Sequence, residues 1–406
     1  MEKPAIEGGV PIRDSPMSFW PTFTEEEKKL VLSVLESGKV SSIAGKMTRT
    51  FEQKFSEYIG TRYALAVSNG TAALHTAIAA LGIGAGDEVI TTPFSFIATA
   101  TSILHNNAVP VFADIDLDTF NMDPETIPDK ITDRTKAILV VHLAGHPAEM
   151  DKIIGIAREY GLKIIEDCAQ AIGTEYRGRK VGTFGEIAAF SFYQSKNMTT
   201  GEGGMVVTNN DDIYEKARLF INHGQVERYL HVSLGWNYRM TELQAALGLG
   251  QLSRIDELNS NREKIAKVYS EELSELDGDL LKLPRAKPYV KHTWHIYQVL
   301  LYTEKLKVDR DYIVKALKAE NILVTVAYPR TIYENPLFQK LDAYGKGCPW
   351  KCPFQRENLA YGKGLAPRAE YVARRVITLP TLAGMTEEDA VVIARALKKV
   401  LSYYKR

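Results

Sequence analysis

Strands alternate with helices over the first half of this chain, and this alternation restricts the fold more than any other feature of the sequence. Short apolar runs predict strands at residues 63–67, 88–92, 109–113, 136–142, 162–166, 186–192 and 205–208, with helices between most of them. Parallel strands that are joined through helices form a sheet covered on both faces. The pattern therefore predicts an α/β fold with a large, mainly parallel sheet flanked by helices.

Prolines, glycines and capping residues divide the chain into three predicted regions. Four prolines and two adjacent glycines predict an extended, unpacked arm over residues 1–23. Thr24 and Glu27 fit a capping box that begins the next helix, and a second helix is predicted through residues 51–60. One long helical region from residue 241 predicts a connection between a large domain at 24–258 and a small α/β domain at 259–406.

The small domain has a shorter version of the same pattern. It is predicted to contain three strands and two helices, and a proline- and glycine-rich insert at 344–367 separates the last two strands. The predicted strands are 295–301, 321–328 and 374–379, and the predicted helices are 308–319 and 386–402.

Charge and cysteine content exclude several classes of protein. Fifty Lys and Arg residues balance fifty Asp and Glu residues, so no overall field favours nucleic acid or an anionic membrane surface. The longest apolar stretches are far below the roughly 18 residues that cross a bilayer. Three cysteines and an N-terminus without a secretion signal predict a cytoplasmic protein.

Lys196 is the first candidate for chemistry. It follows the predicted strand 186–192 and precedes a turn that contains Gly201, Gly203 and Gly204, which would leave room for a ligand. Most lysines on loops are solvated surface charges. The flanking apolar strand instead favours a desolvated amine, and such an amine can form a Schiff base with a carbonyl group.

Two further segments carry candidate binding groups. Asp167 follows the predicted strand 162–166, and ligands of α/β sheets bind at the carboxyl ends of such strands. A carboxylate at this position is about as often an ordinary helix N-cap or strand-end acid. Gly70 and Thr71 begin a helix after the strand 63–67, and the free amides of such a turn suit a phosphate. Ordinary caps without a ligand remain the alternative for this turn.

Three other patterns predict no site. The glycines of residues 82–89 have the wrong spacing for a dinucleotide-binding turn, and a strand follows them where a helix is needed. Cys348 and Cys352 lack the second ligand pair of a zinc site, so turn-stabilising or unpaired thiols are expected. No metal site is predicted. Structural histidines with satisfied hydrogen bonds are expected at His75, His142, His146 and His295.

Taken together, the motifs resemble those of the DegT/StrS sugar aminotransferases, a group of enzymes that depend on pyridoxal 5′-phosphate (PLP) and have the aspartate aminotransferase fold, fold type I. The likeness covers nearly the whole chain. The matching segments, in order, are IEGGVPIR, SNGTAAL, GDEVITTPFSFIATAT, PVFADID, IEDCAQAIG, FSFYQSKNMTTGEGG and NYRMTELQAALGLGQL.

The resemblance implies a role for each matching residue. Lys196 and Asp167 would be catalytic, as the Schiff-base lysine and the partner of the pyridine nitrogen. The implied cofactor contacts are Gln170 near the ring oxygen, Phe96 on the ring face, and Gly70, Thr71 and Ser191 at the phosphate. Asn237 and Arg239 would reach across the interface of a homodimer with shared active sites, and Arg239 and Tyr328 would bind substrate.

The implied activity is amino transfer from L-glutamate or L-glutamine to a keto sugar, with PLP alternating with its pyridoxamine form. Family members with histidine at the Schiff-base position resemble dehydratases, and position 196 is lysine here. Ala327 departs from the pattern, because many members acting on nucleotide sugars have histidine there. That departure leaves the acceptor open between a nucleotide-linked keto-deoxyhexose and an inosose-like cyclic ketone. The segments IEGGVPIR and YPRTIYENPLF more closely resemble the branch that aminates inososes and related cyclic polyols. A PLP-dependent dehydratase and a non-catalytic regulatory protein remain the alternatives.

Overall fold

A seven-stranded sheet forms the centre of the molecule, in a computed structural model that describes residues 2–355 and 359–406. In chain order the strands are β1 (Tyr63–Val67), β2 (Glu88–Thr91), β3 (Val109–Phe112), β4 (Thr135–Val141), β5 (Lys163–Asp167), β6 (Glu175–Tyr176), β7 (Arg179–Lys180), β8 (Ile187–Ser191), β9 (Gly204–Thr208), β10 (Gln225–Glu227), β11 (Leu230–His231), β12 (Leu281–Lys282), β13 (Val290–Lys291), β14 (Tyr297–Leu301) and β15 (Val376–Leu379). The central sheet has the order β1-β9-β8-β5-β4-β2-β3.

Helices cover this sheet and build the remainder of the fold. They are α1 (Glu25–Ser37), α2 (Met47–Ile59), α3 (Gly70–Ala80), α4 (Ala98–His105), α5 (Met150–Tyr160), α6 (Asp211–Phe220), α7 (Glu242–Ser253), α8 (Ile255–Glu272), α9 (Arg310–Ala319), α10 (Pro336–Lys340), α11 (Pro367–Ala373) and α12 (Glu387–Tyr404). None of the helices in the described ranges is both long enough and apolar enough to cross a membrane.

The predicted strands of the first half are confirmed, with bounds that differ by at most two residues. Strands β3, β2, β4, β5 and β8 pair in parallel, and β9 pairs antiparallel to both β8 and β1. The parallel strands are buried on both faces, which explains why the sequence shows them as nearly continuous apolar runs. The predicted α/β class and the mainly parallel sheet are confirmed.

The capping box at α1 also forms as predicted. The Glu27 backbone amide donates to Thr24 Oγ1 at 3.3 Å, and the Thr24 amide donates to Glu27 Oε2 at 2.7 Å. Gly38 ends the helix with φ of 66°, a conformation that glycine adopts without steric cost.

The predicted long helix after residue 241 is wrong, because α7 and α8 are separate helices that meet at Arg254. Arg254 leaves the helical conformation with φ of −124°. Its guanidinium Nε donates to Glu27 Oε1 at 2.8 Å, and its Nη2 donates to the Thr22 carbonyl at 2.9 Å. These contacts with the start of α1 favour the break. The predicted domain boundary after residue 258 falls within α8, and this division of the chain stays a prediction.

Residues 321–328 do not form the predicted strand. Thr325 makes an isolated bridge with Thr378 of β15, and regular pairing does not extend from it within this described segment. Val324 packs into the small-domain core, whereas Tyr328 turns into the cavity described below. The segment is apolar because it lines both a core and a cavity, and not because it is a strand.

The small domain otherwise follows the prediction, with β12, β14 and β15 in an antiparallel sheet against α8, α9 and α12. The N-terminal arm does not stay unpacked as predicted. Its Ala5 and Ile12 amides donate to the buried Glu320 carboxylate at 2.7 and 2.8 Å, and Met17 enters the small-domain core. The arm therefore belongs to that core.

Candidate active site

A cavity of about 990 Å³ opens at the edge of the central sheet where β1, β2, β5 and β8 end. The small domain closes its other side through residues 295–296, 323–328 and 378–382. Most of the predicted site residues meet here: Gly70, Thr71, Phe96, Asp167, Gln170, Ser191, Lys196 and Tyr328 all line the cavity. Segments far apart in sequence thus converge at the carboxyl edge of the sheet, as expected for this topology.

Lys196 lies in the turn that follows β8 rather than at the strand end itself. Its backbone amide donates to the Tyr193 carbonyl at 2.9 Å, which fixes the turn. The side chain keeps partial access to the cavity, yet burial among protein atoms lowers the pKa of its amine to about 8. The Asp167 charge opposes this shift and the Arg262 charge adds to it. At pH 7 about one tenth of the amine is therefore uncharged and nucleophilic, far more than for an ordinary lysine.

Asp167 ends β5 on the same cavity wall and is only 4% exposed. Its Oδ2 accepts from Thr99 Oγ1 at 2.9 Å, and its Oδ1 accepts from the Ala169 amide at 3.1 Å. Burial raises the pKa of the carboxyl group, and these hydrogen bonds and the charge of Lys196 only partly offset that effect. A cation beside Asp167 would stabilise its ionised form, so the residue fits a protonated ring nitrogen.

The start of α3 forms a cradle next to Ser191. Asn69 caps this helix by accepting from the Ala72 amide at 2.8 Å, and Gly70 is its first residue. A Cβ on residue 70 would lie 2.7 Å from the Cβ of Ser191, so only glycine leaves this space open. The free amides of the helix N-terminus face an opening lined by Thr71 and Ser191, an arrangement that fits a phosphate.

The predicted role of the glycine-rich turn is only partly supported. Gly204 is required because a Cβ there would lie 2.6 Å from the Asn69 carbonyl oxygen. Gly204 therefore allows the turn before α3 to approach closely. Neither Gly204 nor Gly203 is among the described residues that line the cavity, so these two glycines do not provide the predicted room for a ligand.

Phe96, Gln170 and Tyr328 complete the wall between the sheet and the small domain. The Phe96 ring is 61% exposed and flanks the cavity. Gln170 accepts from the Ala144 amide at 2.8 Å and donates through Nε2 to the Tyr328 hydroxyl at 2.8 Å. Burial raises the pKa of Tyr328, so its hydroxyl keeps its proton and can donate to a ligand oxygen.

Asn237 and Arg239 are not among the described residues that line the cavity of their own chain. Asn237 is exposed, and Arg239 Nη1 donates to Asn222 Oδ1 at 2.7 Å. Their predicted reach into a neighbouring subunit stays a prediction.

His295 differs from its prediction as a structural histidine with satisfied hydrogen bonds. It lines the cavity, and its Nδ1 is buried without a hydrogen-bond partner among the described residues. The prediction is also wrong for His146, whose Nε2 is buried without a hydrogen-bond partner among the described residues. His142, by contrast, is satisfied by Glu166 Oε2 at 3.0 Å and by the Ala148 amide at 3.1 Å. His142, Glu166 and Cys168 lie close enough together to be considered as metal ligands. Both Glu166 oxygens, however, already accept hydrogen bonds from backbone amides, and one of them also pairs with His142.

Sequence reasoning missed Thr99 and Arg262. Thr99 lies three positions after Phe96, whose carbonyl accepts from the Thr99 amide at 3.1 Å in the turn that leads into α4, and this spacing was a usable signal for a shared face. Arg262 lies on α8, and its guanidinium reaches the backbone of Lys196. No local pattern marks this arginine as buried.

Comparison with known proteins gives a consistent result. The model of the DegT/DnrJ/EryC1/StrS aminotransferase family matches residues 21–398. An uncharacterized protein of Methanocaldococcus jannaschii is 41% identical, over 95% of this chain and 97% of its own length. A GDP-perosamine synthase of Caulobacter vibrioides is 38% identical, over 94% and 97%. A Streptoalloteichus tenebrarius protein, provisionally named L-glutamine:3-amino-2,3-dideoxy-scyllo-inosose aminotransferase, is 40% identical over 78% of each chain.

Solved structures agree with the sequence comparisons. An aminotransferase from Psychrobacter cryohalolentis superposes with a TM-score of 0.85 at 35% identity, covering 96% of this chain and all of that one. The S. venezuelae protein DesV, solved in complex with a ketimine intermediate, gives a TM-score of 0.83 at 34% identity, covering 94% and 95%.

Proposed function

The chain belongs to the DegT/DnrJ/EryC1/StrS aminotransferase family, and from that premise we propose that it uses PLP to move an amino group from L-glutamate or L-glutamine to a keto sugar. The observation that carries this proposal is the presence of the Lys196 amine and the Asp167 carboxylate in one cavity. When bound, PLP supplies an aldehyde that joins covalently to amines and a heterocycle that withdraws electrons from the bond being broken.

The residues of this chain fit the cofactor at each of its ends. Lys196 would hold the aldehyde carbon, and Asp167 would hold the ring nitrogen in its cationic form. Gly70, Thr71 and Ser191 would hold the phosphate at the N-terminus of α3, where the helix dipole favours an anion. Phe96 would contact the ring face, and Gln170 would lie near the ring oxygen.

Lys196 would also move the proton that amino transfer requires. Its pKa of about 8 would leave the free amine able to accept a proton from the donor Cα and to deliver it, in the same half-reaction, to the cofactor carbon that the lysine had held. The second half-reaction would run the reverse transfer on the acceptor. The Asp167 charge favours that accepted proton, because a carboxylate stabilises a nearby ammonium group. Lys196 Nζ would thus be the base in both half-reactions.

The acceptor is proposed to be an inosose-like cyclic ketone or a nucleotide-linked keto-deoxyhexose. The similarity to a protein provisionally named as an inosose aminotransferase supports the first, and the similarity to GDP-perosamine synthase supports the second. Ala327 lies on the cavity wall, where its small side chain would leave space for the acceptor. Tyr328 beside it would donate a hydrogen bond to an acceptor oxygen.

We further propose a homodimer in which Asn237 and Arg239 complete the cavity of the neighbouring subunit. Large apolar side chains lie exposed just before them on the chain, namely Val226, Leu230, Val232, Leu234 and Trp236. Several large apolar side chains exposed in one short segment support an interface with another protein surface there.

An acceptor screen tests the proposal. Purified protein with PLP is expected to be yellow, to lose that absorbance with L-glutamate or L-glutamine, and to aminate one class of ketone. Lys196→Ala should abolish the yellow colour and the turnover. Loss of water from the acceptor without amine formation would favour a dehydratase, and an uncoloured wild-type protein with PLP present would contradict the cofactor assignment.

A further inference from the structure

Arg262 on α8 is buried in a way that the proposed mechanism does not use. The side chain is 2% exposed, and burial lowers the pKa of its guanidinium to about 10. Within residues 2–355 and 359–406 it forms no ion pair with a carboxylate. Burying a charge without an ionic partner costs several kcal/mol on general grounds, so its position requires an explanation.

The guanidinium binds two backbone carbonyls and one side-chain hydroxyl, which come from three segments of the cavity wall. Nη2 donates to the Lys196 carbonyl at 3.2 Å, and Nη1 donates to the His295 carbonyl at 3.1 Å. Nη1 also lies 3.4 Å from Thr381 Oγ1, which itself donates to the His295 carbonyl at 3.0 Å. Arg262 thus joins the Lys196 turn to the parts of the small domain that face it.

A neutral amide could also bind these carbonyls, so the hydrogen bonds alone do not explain a charged residue. The charge acts on Lys196, because two positive groups close together in a buried region disfavour each other. Arg262 lowers the pKa of Lys196, whereas Asp167 at the end of β5 raises it. His295 and Tyr328 also line the cavity and are kept uncharged by burial, and its other titratable groups are His105, Tyr193, Glu202 and Tyr238. Of these groups, Asp167 and Arg262 carry the charges that act on the amine.

We propose that Arg262 is a positioning residue for amino transfer, which fixes the Lys196 turn through the lysine carbonyl and uses its permanent charge to increase the neutral fraction of the lysine amine. This proposal deepens the proposed function, since it concerns the same lysine. It does not require the cofactor to be present, because the contacts are made by the chain alone.

Arg262→Met removes the charge and the hydrogen bonds but keeps an unbranched side chain. We expect the midpoint of the Lys196 titration to rise by about one unit, which lowers the neutral fraction at pH 7 about tenfold. The readout is the pH dependence of acylation of the cofactor-free protein, followed for the Lys196 peptide by mass spectrometry. Arg262→Lys, which keeps the charge, should restore most of the wild-type titration.

Arg310→Met is the matched control. Arg310 is also buried in the small domain, and its Nη1 donates to the Ala373 and Val376 carbonyls at 3.2 and 3.0 Å, away from Lys196. Its loss should lower the melting temperature and leave the Lys196 titration unchanged. A purely structural role for Arg262 would give that same result for Arg262→Met.

An unchanged Lys196 midpoint in folded Arg262→Met, or equal midpoints in Arg262→Met and Arg262→Lys, would overturn the proposal. If Arg262→Met does not fold, Arg262→Gln provides neutral donors for the same carbonyls and should show the same upward shift. Failure of the wild-type protein to bind PLP would contradict the proposed function and would leave this titration as an independent test.

Discussion

Replacing Gly70 by alanine tests the phosphate cradle at the start of α3. The new Cβ would lie 2.7 Å from the Cβ of Ser191 and 3.0 Å from its Oγ. Non-bonded carbon atoms settle at about 3.5–4.0 Å, so α3 and the end of β8 must separate by roughly 1 Å. Overpacking of this kind costs about 1–3 kcal/mol of folding stability.

The same separation moves the amides of α3 away from Ser191, which would share the phosphate with them. Losing one hydrogen bond to a charged group costs about 1.5–3 kcal/mol. We therefore expect Gly70→Ala to bind PLP about 10- to 150-fold more weakly than the wild type. Pyridoxal, which lacks the phosphate, should bind the two proteins with similar affinity.

The assay is a titration of cofactor-free protein with PLP and with pyridoxal, followed by absorbance. Gly155→Ala is the matched control, because a Cβ at this helical glycine of α5 would meet nothing within 4 Å. It should leave PLP affinity unchanged and stabilise the fold by about 0.5–1 kcal/mol. If Gly70→Ala binds PLP as tightly as the wild type, or loses as much affinity for pyridoxal as for PLP, the start of α3 is not the phosphate site.

Two further predictions concern stability. Glu320→Gln removes the closer and buried carboxylate, at 3.0 Å, from the Lys399 ammonium and leaves it with the exposed Glu2 carboxylate at 3.4 Å. We therefore expect the free energy of unfolding in urea to fall by about 3 kcal/mol, and a loss below about 1 kcal/mol would contradict the reasoning. Burial lowers the pKa of His146 to about 4, below the value of about 6.5 expected in the unfolded chain. The neutral residue therefore contributes its full stability above pH 6.5, and this contribution should decline as the pH falls towards 4. Between pH 7.5 and pH 5.5 the free energy of unfolding in urea should fall by about 1.3 kcal/mol on account of this residue, and His146→Asn should lack this part of the loss. Equal pH dependence of the wild type and His146→Asn would contradict the assignment.

The sequence predicted the central sheet well because each parallel strand is buried on both faces and reads as an apolar run. It also predicted Lys196 and Asp167 as candidates, since both follow such strands and the carboxyl ends of parallel strands meet at one edge. The roles of Phe96, Gln170 and Ser191 came only from the family resemblance. Nothing in their local sequence separates a cavity residue from a core residue.

The failures have a common physical cause, which is contact between segments distant in sequence. The break between α7 and α8 contains neither proline nor glycine, and it follows from the hydrogen bonds of Arg254 with the start of α1. Residues 321–328 are apolar because some of them pack into the small-domain core and others line the cavity, and both environments form only in the tertiary structure. The burial of Arg262 likewise depends on partners from other elements, such as Thr381.

The central claim is that the Lys196 amine is the group that joins the cofactor. Reduction of the PLP-loaded protein with borohydride, followed by digestion and mass spectrometry, tests it most directly. The account predicts a phosphopyridoxyl mass increment on the peptide that contains Lys196, and its loss when L-glutamate is added before reduction. An increment confined to other lysines, or none on a protein that has bound PLP, would contradict the claim.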